Sequence, residues 1–448
     1  MAHQEHEGPR ASRAPLASQA PPIPQASHEP QAPHGPTAAR TPHTARPLDP
    51  RAVASSIAVL ADDLTSAGDG AAPFRRGGHR ARVLLSAPVT VTGAGAEGVS
   101  GVVAVDLGSR LLGLGEAVAE TRRAAQAYAG ADLLIKTVDS TLRGHVAAEI
   151  RAAHAGSRRR AVVIAPAFPA EGRTTVRGIQ HVHGVPVHES AFGRDPAHPV
   201  TSSDLTHLLP EAVVLEPDQL DRLPELVDSG GLFVCSATRD GDLDRVVSAV
   251  PEVGGVLWVG SPGLAAALAR RHTRTAAATA PATALSAARR PLVVVGSANP
   301  ATRRQLDRLR GRPDVAAVAA GDPLAAVEAL RRTAAAVRVV HTPDARREAS
   351  APGSLTRDLA LAAGRLVADG LVDGLVLTGG ETAVTVLRGL GATGIDLYDE
   401  PEPGIARGTL LGTPGIPVLI KAGGFGDEGT LDRLCRLLTE GDERSTRA

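Results

Sequence analysis

From Ser55 onward the chain repeats one local pattern: a short unbroken apolar run, a polar or glycine turn, then residues with helical spacing. "SSIAVLADDLTSAGDGAAPFRRGG" is the first case. "VVAVDLGSR" follows ahead of a helix near 115–129, then "LLIKTVDSTLRG" ahead of 145–154, and "AVVIAPAFPAEGR". Further along come "PLVVVGSANPATRRQL", "GLVLTGGETAVTVLRGL" and "IPVLIKAGGFGDEGTLDRLCRLL". An apolar run without alternation is a strand covered on both faces, which parallel sheets flanked by helices supply. The expected fold class is therefore α/β: two α/β domains with mostly parallel sheets flanked by helices and an active-site cleft between them.

A stretch of low complexity, "TRTAAATAPATALSAARR", interrupts the pattern and reads as a linker over 273–290. It separates an N-terminal domain at 55–272 from a C-terminal domain at 291–440, with a short tail at 441–448. Residues 1–54 read as a disordered tail, because the first 50 residues hold 11 of the 34 prolines and little that could offset ordering entropy. Five of the 15 histidines fall there, at irregular spacing that does not favour a metal site. The tail lacks the apolar centre of a secretory signal.

Acidic and basic side chains balance at 48 each, and aromatics are 2% of the chain. The first removes a global field for nucleic acid or anionic membranes, and the second removes stacking platforms for bases. The two cysteines, Cys235 and Cys435, are far apart and suit a reduced, cytoplasmic protein. No apolar run approaches the roughly 20 residues of a membrane span. A GxxxxGK[ST] loop, a dinucleotide GxGxxG with its acidic partner, HExxH and paired CxxC are all absent, so no protein metal site is expected.

The basic residues are unevenly chosen. Lys136 and Lys421 are the only lysines, and the other 46 basic residues are arginine. Lysine is a compact ammonium with three rotatable donors, whereas arginine is a bulky planar fork, so a site tight around a small anion distinguishes them.

In the first domain, "VLADDLTSAGD" places Asp62, Asp63 and Thr65 just past a strand, where open α/β sheets bind ligands. These carboxylates can read sugar hydroxyls, and one can act as a general base; equally, one can cap the next helix. "IKTVDSTLRG" adds Lys136, Asp139, Ser140, Thr141 and Arg143 at another strand end. That set suits an anionic, hydroxylated ligand, the alternative being a solvated turn capped by Asp139 or Ser140. Arg110 in "LGSR" and Arg173 in "EGR" are weaker candidates for the same pocket. In the second domain three glycine turns follow apolar runs: Ser297 in "VVVGSANPAT", Gly379, Gly380, Glu381 and Thr382 in "VLTGGETA", and Lys421, Gly423 and Gly424 in "IKAGGFGDEG". Such turns let backbone N–H groups approach phosphate closely, so together they point to a nucleotide.

The ordered set "ADDLTSAGD", "KTVDSTLRG", "APAFPAEGRTT", "GSPGLA", "GSANPAT", "LTGGETA" and "KAGGFG" resembles the four-carbon acid sugar kinases over about 55–440. The resemblance implies a sugar-acid-binding N-terminal domain and a nucleotide-binding C-terminal domain. It implies ATP-dependent phosphorylation of the terminal hydroxyl of a C4 acid such as threonate, erythronate or 3-oxo-tetronate. Asp62, Asp63 and the 136–143 cluster would hold the acid; Ser297, Gly379 to Thr382 and Gly423 would hold ATP. "KTVDSTLRG" looks more like the threonate and erythronate kinases. Ser66, where the family usually has Gly, and His145–Val146, where Asn-Ile is common, are departures.

The expected mechanism is direct phosphoryl transfer. Arg143 or Lys136 binds the carboxylate, Asp62 or Asp63 accepts the proton, Lys421 offsets phosphoryl charge, and Mg²⁺ bridges the phosphates with few protein ligands. A homodimer is admitted but not required. Two rivals remain, a sugar-acid dehydrogenase and a non-catalytic sensor that binds sugar acid and nucleotide.

Overall fold

The apolar runs fold as strands of one 15-stranded sheet. From the first half of the chain come β1 (Ser56–Ala61), β2 (Ala81–Leu84), β3 (Gly101–Asp106), β4 (Leu133–Thr137) and β5 (Ala161–Ala165). The short strands β6 (Arg173–Val176), β7 (Ile179–Val182) and β8 (Val185–Pro186) form a separate antiparallel sheet. Then β9 (Val213–Leu215), β10 (Gly231–Cys235) and β11 (Val256–Gly260) rejoin the large sheet. The second half contributes β12 (Pro291–Val295), β13 (Val315–Ala319), β14 (Val337–His341), β15 (Gly374–Thr378), β16 (Gly394–Glu402), β17 (Ile405–Leu411) and β18 (Pro417–Lys421). This computed structural model describes residues 56–86, 101–195, 198–273, 285–343, 353–413 and 415–440. The expected tails, with their histidines, and most of the expected linker lie outside the described residues.

Strand order is β13-β14-β12-β15-β18-β17-β16-β2-β3-β1-β4-β11-β5-β10-β9. Pairing is parallel except at the β16–β17 hairpin, whose strands run antiparallel to each other and to β2 and β18. Leu84 opposite Gly394 and Val83 opposite Ile395 join the halves edge to edge. All five residues of β4, β5, β11, β12, β15 and β18 are buried, as two-sided helical cover requires. The core is aliphatic, with Trp258 and Phe74 its largest fully buried aromatics.

The order along the sheet reverses at β1, which sits between β3 and β4, and again at β12, which sits between β14 and β15. Open α/β sheets bind ligands beyond the strand ends at such switch points. Helix α1 (Leu64–Arg76) starts at the first of them. Small residues let it lie close to both halves: a Cβ on Gly70 would come within 2.7 Å of Val59 Cγ1, and one on Gly68 within 3.0 Å of Ala406 Cβ. Helices α2 (Leu114–Ala127) and α3 (Val146–Ser157) follow β3 and β4.

The run "AVVIAPAFPAEGR" departs from the strand–turn–helix pattern. After β5 the chain makes a 3₁₀ turn at Pro169–Glu171, then reverses at Gly172 with φ of 67° into the small sheet. A left-handed residue ends the turn before a helix can propagate, and the result is to present Arg173. Among the described residues no helix is long and apolar enough to cross a membrane.

Candidate active site

The loops after β1, β3 and β4 and those after β12, β15 and β18 open into one cavity of about 620 Å³. One wall carries Asp63, Thr65, Arg110, Asp139, Ser140, Arg143 and Arg173; the other carries Ser297, Gly379, Gly380, Gly423 and Gly424. The walls touch, since a Cβ on Gly380 would lie 3.7 Å from Asp63 Oδ2 and from Thr65 Cγ2.

Arg110 organises the first wall. It is placed by a 3₁₀ turn, Ser109–Leu111, after β3. Its Nε donates to Asp62 Oδ2 at 2.9 Å, its Nη1 to Asp63 Oδ2 at 2.5 Å and its Nη2 to Ser66 Oγ at 3.3 Å. Asp63 is also the N-cap of α1, accepting from Ser66 N at 2.7 Å and Thr65 Oγ1 at 2.9 Å. The capping and ligand-binding alternatives for this motif are thus both open to one side chain. Burial pushes the Asp63 carboxyl up, but Arg110 and the Ser66 and Thr65 hydrogen bonds outweigh it and hold the group below its usual value. Asp62 turns inward: it is 4% exposed and lies outside the cavity lining. Its Oδ1 is buried without a hydrogen-bond partner among the described residues. Burial raises its pKa against the pull of Arg110.

The loop after β4 forms the floor. Asp139 accepts from Thr141 Oγ1 at 2.8 Å, from Thr141 N at 3.2 Å and, in a short contact, from Arg143 Nε. Burial opposes ionisation, yet Arg143 and Arg110 hold the Asp139 carboxyl well below the usual carboxylate range. Leu142 adopts φ of 60°, an uncommon conformation for a branched residue that bends this loop around Arg143. The guanidinium of Arg143 lies 5.3 Å from the Phe192 ring centroid and 3.7 Å from Asp195. Arg173 Nη1 donates to Glu171 O at 2.6 Å, and its Nε is buried with no partner among the described residues.

The second wall is mostly backbone. Ser297 Oγ accepts from Asn299 N at 3.2 Å, and Asn299 Oδ1 caps the helix Pro300–Arg310 through Ala301 N at 2.9 Å. Gly379 takes φ of 89°, a region closed to most side chains. A Cβ on Gly423 would overlap Ser297 Oγ.

Both lysines differ from expectation. Neither lines the cavity, and each is 0% exposed. Lys136 Nζ pairs with Glu149 at 2.8 Å and donates to Thr137 O at 2.8 Å. Lys421 Nζ donates to Ala422 O at 2.9 Å, Thr302 Oγ1 at 3.3 Å and Gly423 O at 3.5 Å. The ammoniums are spent on the protein behind the two walls, so a direct contact of Lys136 with the acid or of Lys421 with phosphate is not what the geometry offers. Glu381 is exposed and Thr382 is buried beneath Gly296; both fall outside the lining. A proton-acceptor role for Asp62 or Asp63 meets an obstacle as well, since Arg110 binds both.

Sequence reasoning missed several lining residues, among them Asp69, Phe168, Phe192 and Asp195. Asp69 had a signal as the last residue of "ADDLTSAGD", one turn on from Thr65 and Ser66 on the same helix face, and Phe168 had one as part of "APAFPAEGRTT". Among the described residues no group of three or more His, Cys, Asp or Glu side chains converges as a metal site.

Two switch points sharing one cavity, one wall of arginine and aspartate and one of glycine turns, define an α/β transferase that brings a small anion to a nucleotide. Residues 57–268 match the model of a sugar-binding N-terminal domain and 292–431 that of a nucleotide-binding C-terminal domain. The chain is 35% identical to a D-threonate kinase of Bordetella bronchiseptica, over 86% of this chain and 98% of that one. It is 30% identical to a D-threonate kinase of Salmonella typhimurium (83% and 96%) and 29% identical to a D-erythronate kinase of Heliobacterium modesticaldum (83% and 94%). It belongs to the four-carbon acid sugar kinase family. A crystal structure of a Salmonella typhimurium protein described as a putative tRNA synthase shares the fold, with TM-score 0.71 at 24% identity, over 86% of this chain and 99% of that one.

Proposed function

We propose that the chain is an ATP-dependent kinase that phosphorylates the terminal 4-hydroxyl of a four-carbon sugar acid: D-threonate, D-erythronate or a related tetronate. The observation that carries this is the single cavity of about 620 Å³ with an arginine–aspartate wall facing glycine turns. Its volume lies in the range of small-molecule sites. No feature of the cleft among the described residues favours the dehydrogenase or the non-catalytic sensor.

In the proposed mechanism Arg143 and Arg173 take the substrate carboxylate, because both are arginines that line the cavity. Asp139, Ser140 and Asp63 read the hydroxyls, and Arg110 fixes Asp63 in place. The backbone around Ser297, Gly379–Gly380 and Gly423–Gly424 holds the nucleotide phosphates. Lys421 acts from behind: its three hydrogen bonds shape the 422–423 turn. Mg²⁺ fits as a nucleotide-bound ion that keeps its waters, since no three-ligand cage exists among the described residues. Such an ion supplies charge neutralisation at the phosphates. The halves 55–272 and 291–440 act as acid-binding and nucleotide-binding domains in this scheme. One chain completes the cavity, so the scheme needs no dimer. Both cysteines are free and buried, in keeping with a cytoplasmic setting.

The test is ADP release, coupled to a reporter, across a panel of C4 acids at saturating Mg-ATP. Turnover with threonate or erythronate is expected. No ADP with any acid would sink the kinase assignment.

A further inference from the structure

We propose that Asp69, on the cavity face of α1, is the general base that takes the proton from the attacking sugar-acid hydroxyl. The proposal rests on the kinase function above and deepens it. Four carboxylates line the cavity: Asp63, Asp69, Asp139 and Asp195. Arg110 and two N-cap hydrogen bonds hold Asp63. Arg143 and Thr141 hold Asp139. Asp195 faces Arg143 at 3.7 Å. A carboxylate bound by a guanidinium is a weak base, because taking a proton would leave the arginine's charge unpaired.

Asp69 is different. Among the described residues its carboxylate makes no hydrogen bond and no ion pair. It stands four residues beyond Thr65 and three beyond Ser66, so the three share one face of α1. Thr65 itself packs against the Gly380 turn, 3.7 Å from where a Cβ would stand. Asp69 therefore lines the cavity from the helix that touches the nucleotide wall.

Its electrostatic surroundings favour the same role. The charged groups facing it are Glu400 of the β16–β17 hairpin, Asp63 at the start of α1, Glu171 of the 3₁₀ turn after β5, and Arg110. Burial raises the Asp69 carboxyl well above the usual carboxylate value, Glu400 and Asp63 raise it further, and Arg110 offsets only part. A base whose pKa moves toward the working pH accepts protons more effectively.

The step balances simply. The 4-hydroxyl oxygen forms a bond to the γ-phosphorus while the bond from that phosphorus to the β,γ-bridging oxygen breaks. The electron pair leaves on ADP. The hydroxyl proton passes to the Asp69 carboxylate and returns to solvent after product release.

The test compares Asp69→Asn and Asp63→Asn with the wild-type enzyme. Asp69→Asn is expected to lower kcat by about 10²–10⁴-fold, with ADP affinity and KM for the sugar acid nearly unchanged. The acid limb of the kcat–pH profile, present in the wild type above the ordinary carboxylate range, should disappear. Asp63→Asn is expected to act mainly on KM for the acid and to keep that limb. Near-normal kcat in Asp69→Asn, a retained acid limb, or recovery at high Mg²⁺ would overturn the proposal, the last by making Asp69 a metal contact. Should Asp69→Asn not fold, the wild-type profile still decides: no acid limb in kcat rejects the base. An inactive wild type that binds ADP rejects the kinase function itself, which is a separate outcome.

Discussion

Lys136 and Glu149 form an ion pair at 2.8 Å with each side chain 1% exposed. Glu149, in the first turn of α3, also accepts from Ser109 Oγ at 2.8 Å and Thr121 Oγ1 at 3.4 Å. Ser109 precedes Arg110 in the chain. The pair therefore supports the arginine–aspartate wall from behind. Lys421 does the same for the nucleotide wall, and both ammoniums bond to the carbonyl of the next residue. Both ammoniums are fully buried among close partners, where a bulkier planar guanidinium would have to displace them, a reason for an arginine-rich chain to retain lysine there.

Lys136→Met should destabilise the protein by about 3–5 kcal/mol, the usual cost of stranding one charge of a buried pair. Adding Glu149→Leu to it should recover much of the loss. Denaturant unfolding of the two single variants and the double variant reads the coupling; additive losses would refute the pairing.

Arg110→Lys should weaken sugar-acid turnover without touching the nucleotide. A lysine cannot bind Asp62 and Asp63 together as the fork does, and losing a charged hydrogen bond costs roughly 1.5–3 kcal/mol. That corresponds to about a 10- to 100-fold fall in kcat/KM for the acid. Unchanged kcat/KM, or an equal change in ADP affinity, would speak against the wall so described.

Gly423→Ala places a methyl group against Ser297 Oγ. The Ser297 side chain on the nucleotide wall must give way to admit it, so ADP affinity should fall about tenfold or more, in line with overpacking costs of about 1–3 kcal/mol. Sugar-acid binding, followed by equilibrium titration, should stay close to wild type. An unaffected ADP affinity would show that this turn does not meet phosphate.

Burial lowers the Lys421 ammonium to about 8 from its ordinary 10.5, although Glu402 pulls the other way. The unfolded chain thus binds more protons than the folded one between those values, and stability from this group rises with pH across that window. Below about 8 both states are protonated and the cost of burying the charge is present in full. Nucleotide affinity should move oppositely, falling above pH 8 as the ammonium loses a donor to the 422–423 turn. Lys421→Met should flatten both dependences, in chemical unfolding and in ADP titrations run from pH 7 to 10.

Much of the site was legible because it sits at strand ends. A buried parallel strand is a continuous apolar run, so its end is visible in the sequence, and in an open α/β sheet strand ends are where ligands go. Asp63, Arg110, Asp139, Arg143, Ser297, Gly379, Gly380 and Gly423 were all found in this way, and all line the cavity. The antiparallel β16–β17 seam was not legible, since its strands alternate and carry charges such as Asp396, Asp399 and Arg407.

The sequence by itself determined the α/β class, the position of the strand-end loops and the chemical types they carry, because those follow from local periodicity and residue chemistry. Only the tertiary structure decided where each side chain at a strand end points. Asp62 and Asp63 are neighbours, yet one turns inward and the other caps α1 at the cavity. Lys136 turns to Glu149 and Lys421 to Thr302, 119 residues away in the chain. Among the described residues Asp69 makes no hydrogen bond or ion pair, while Arg110, which acts on it, is engaged by Asp62 and Asp63. Such outcomes depend on which distant groups packing brings within hydrogen-bonding range, and that is not encoded in any local pattern.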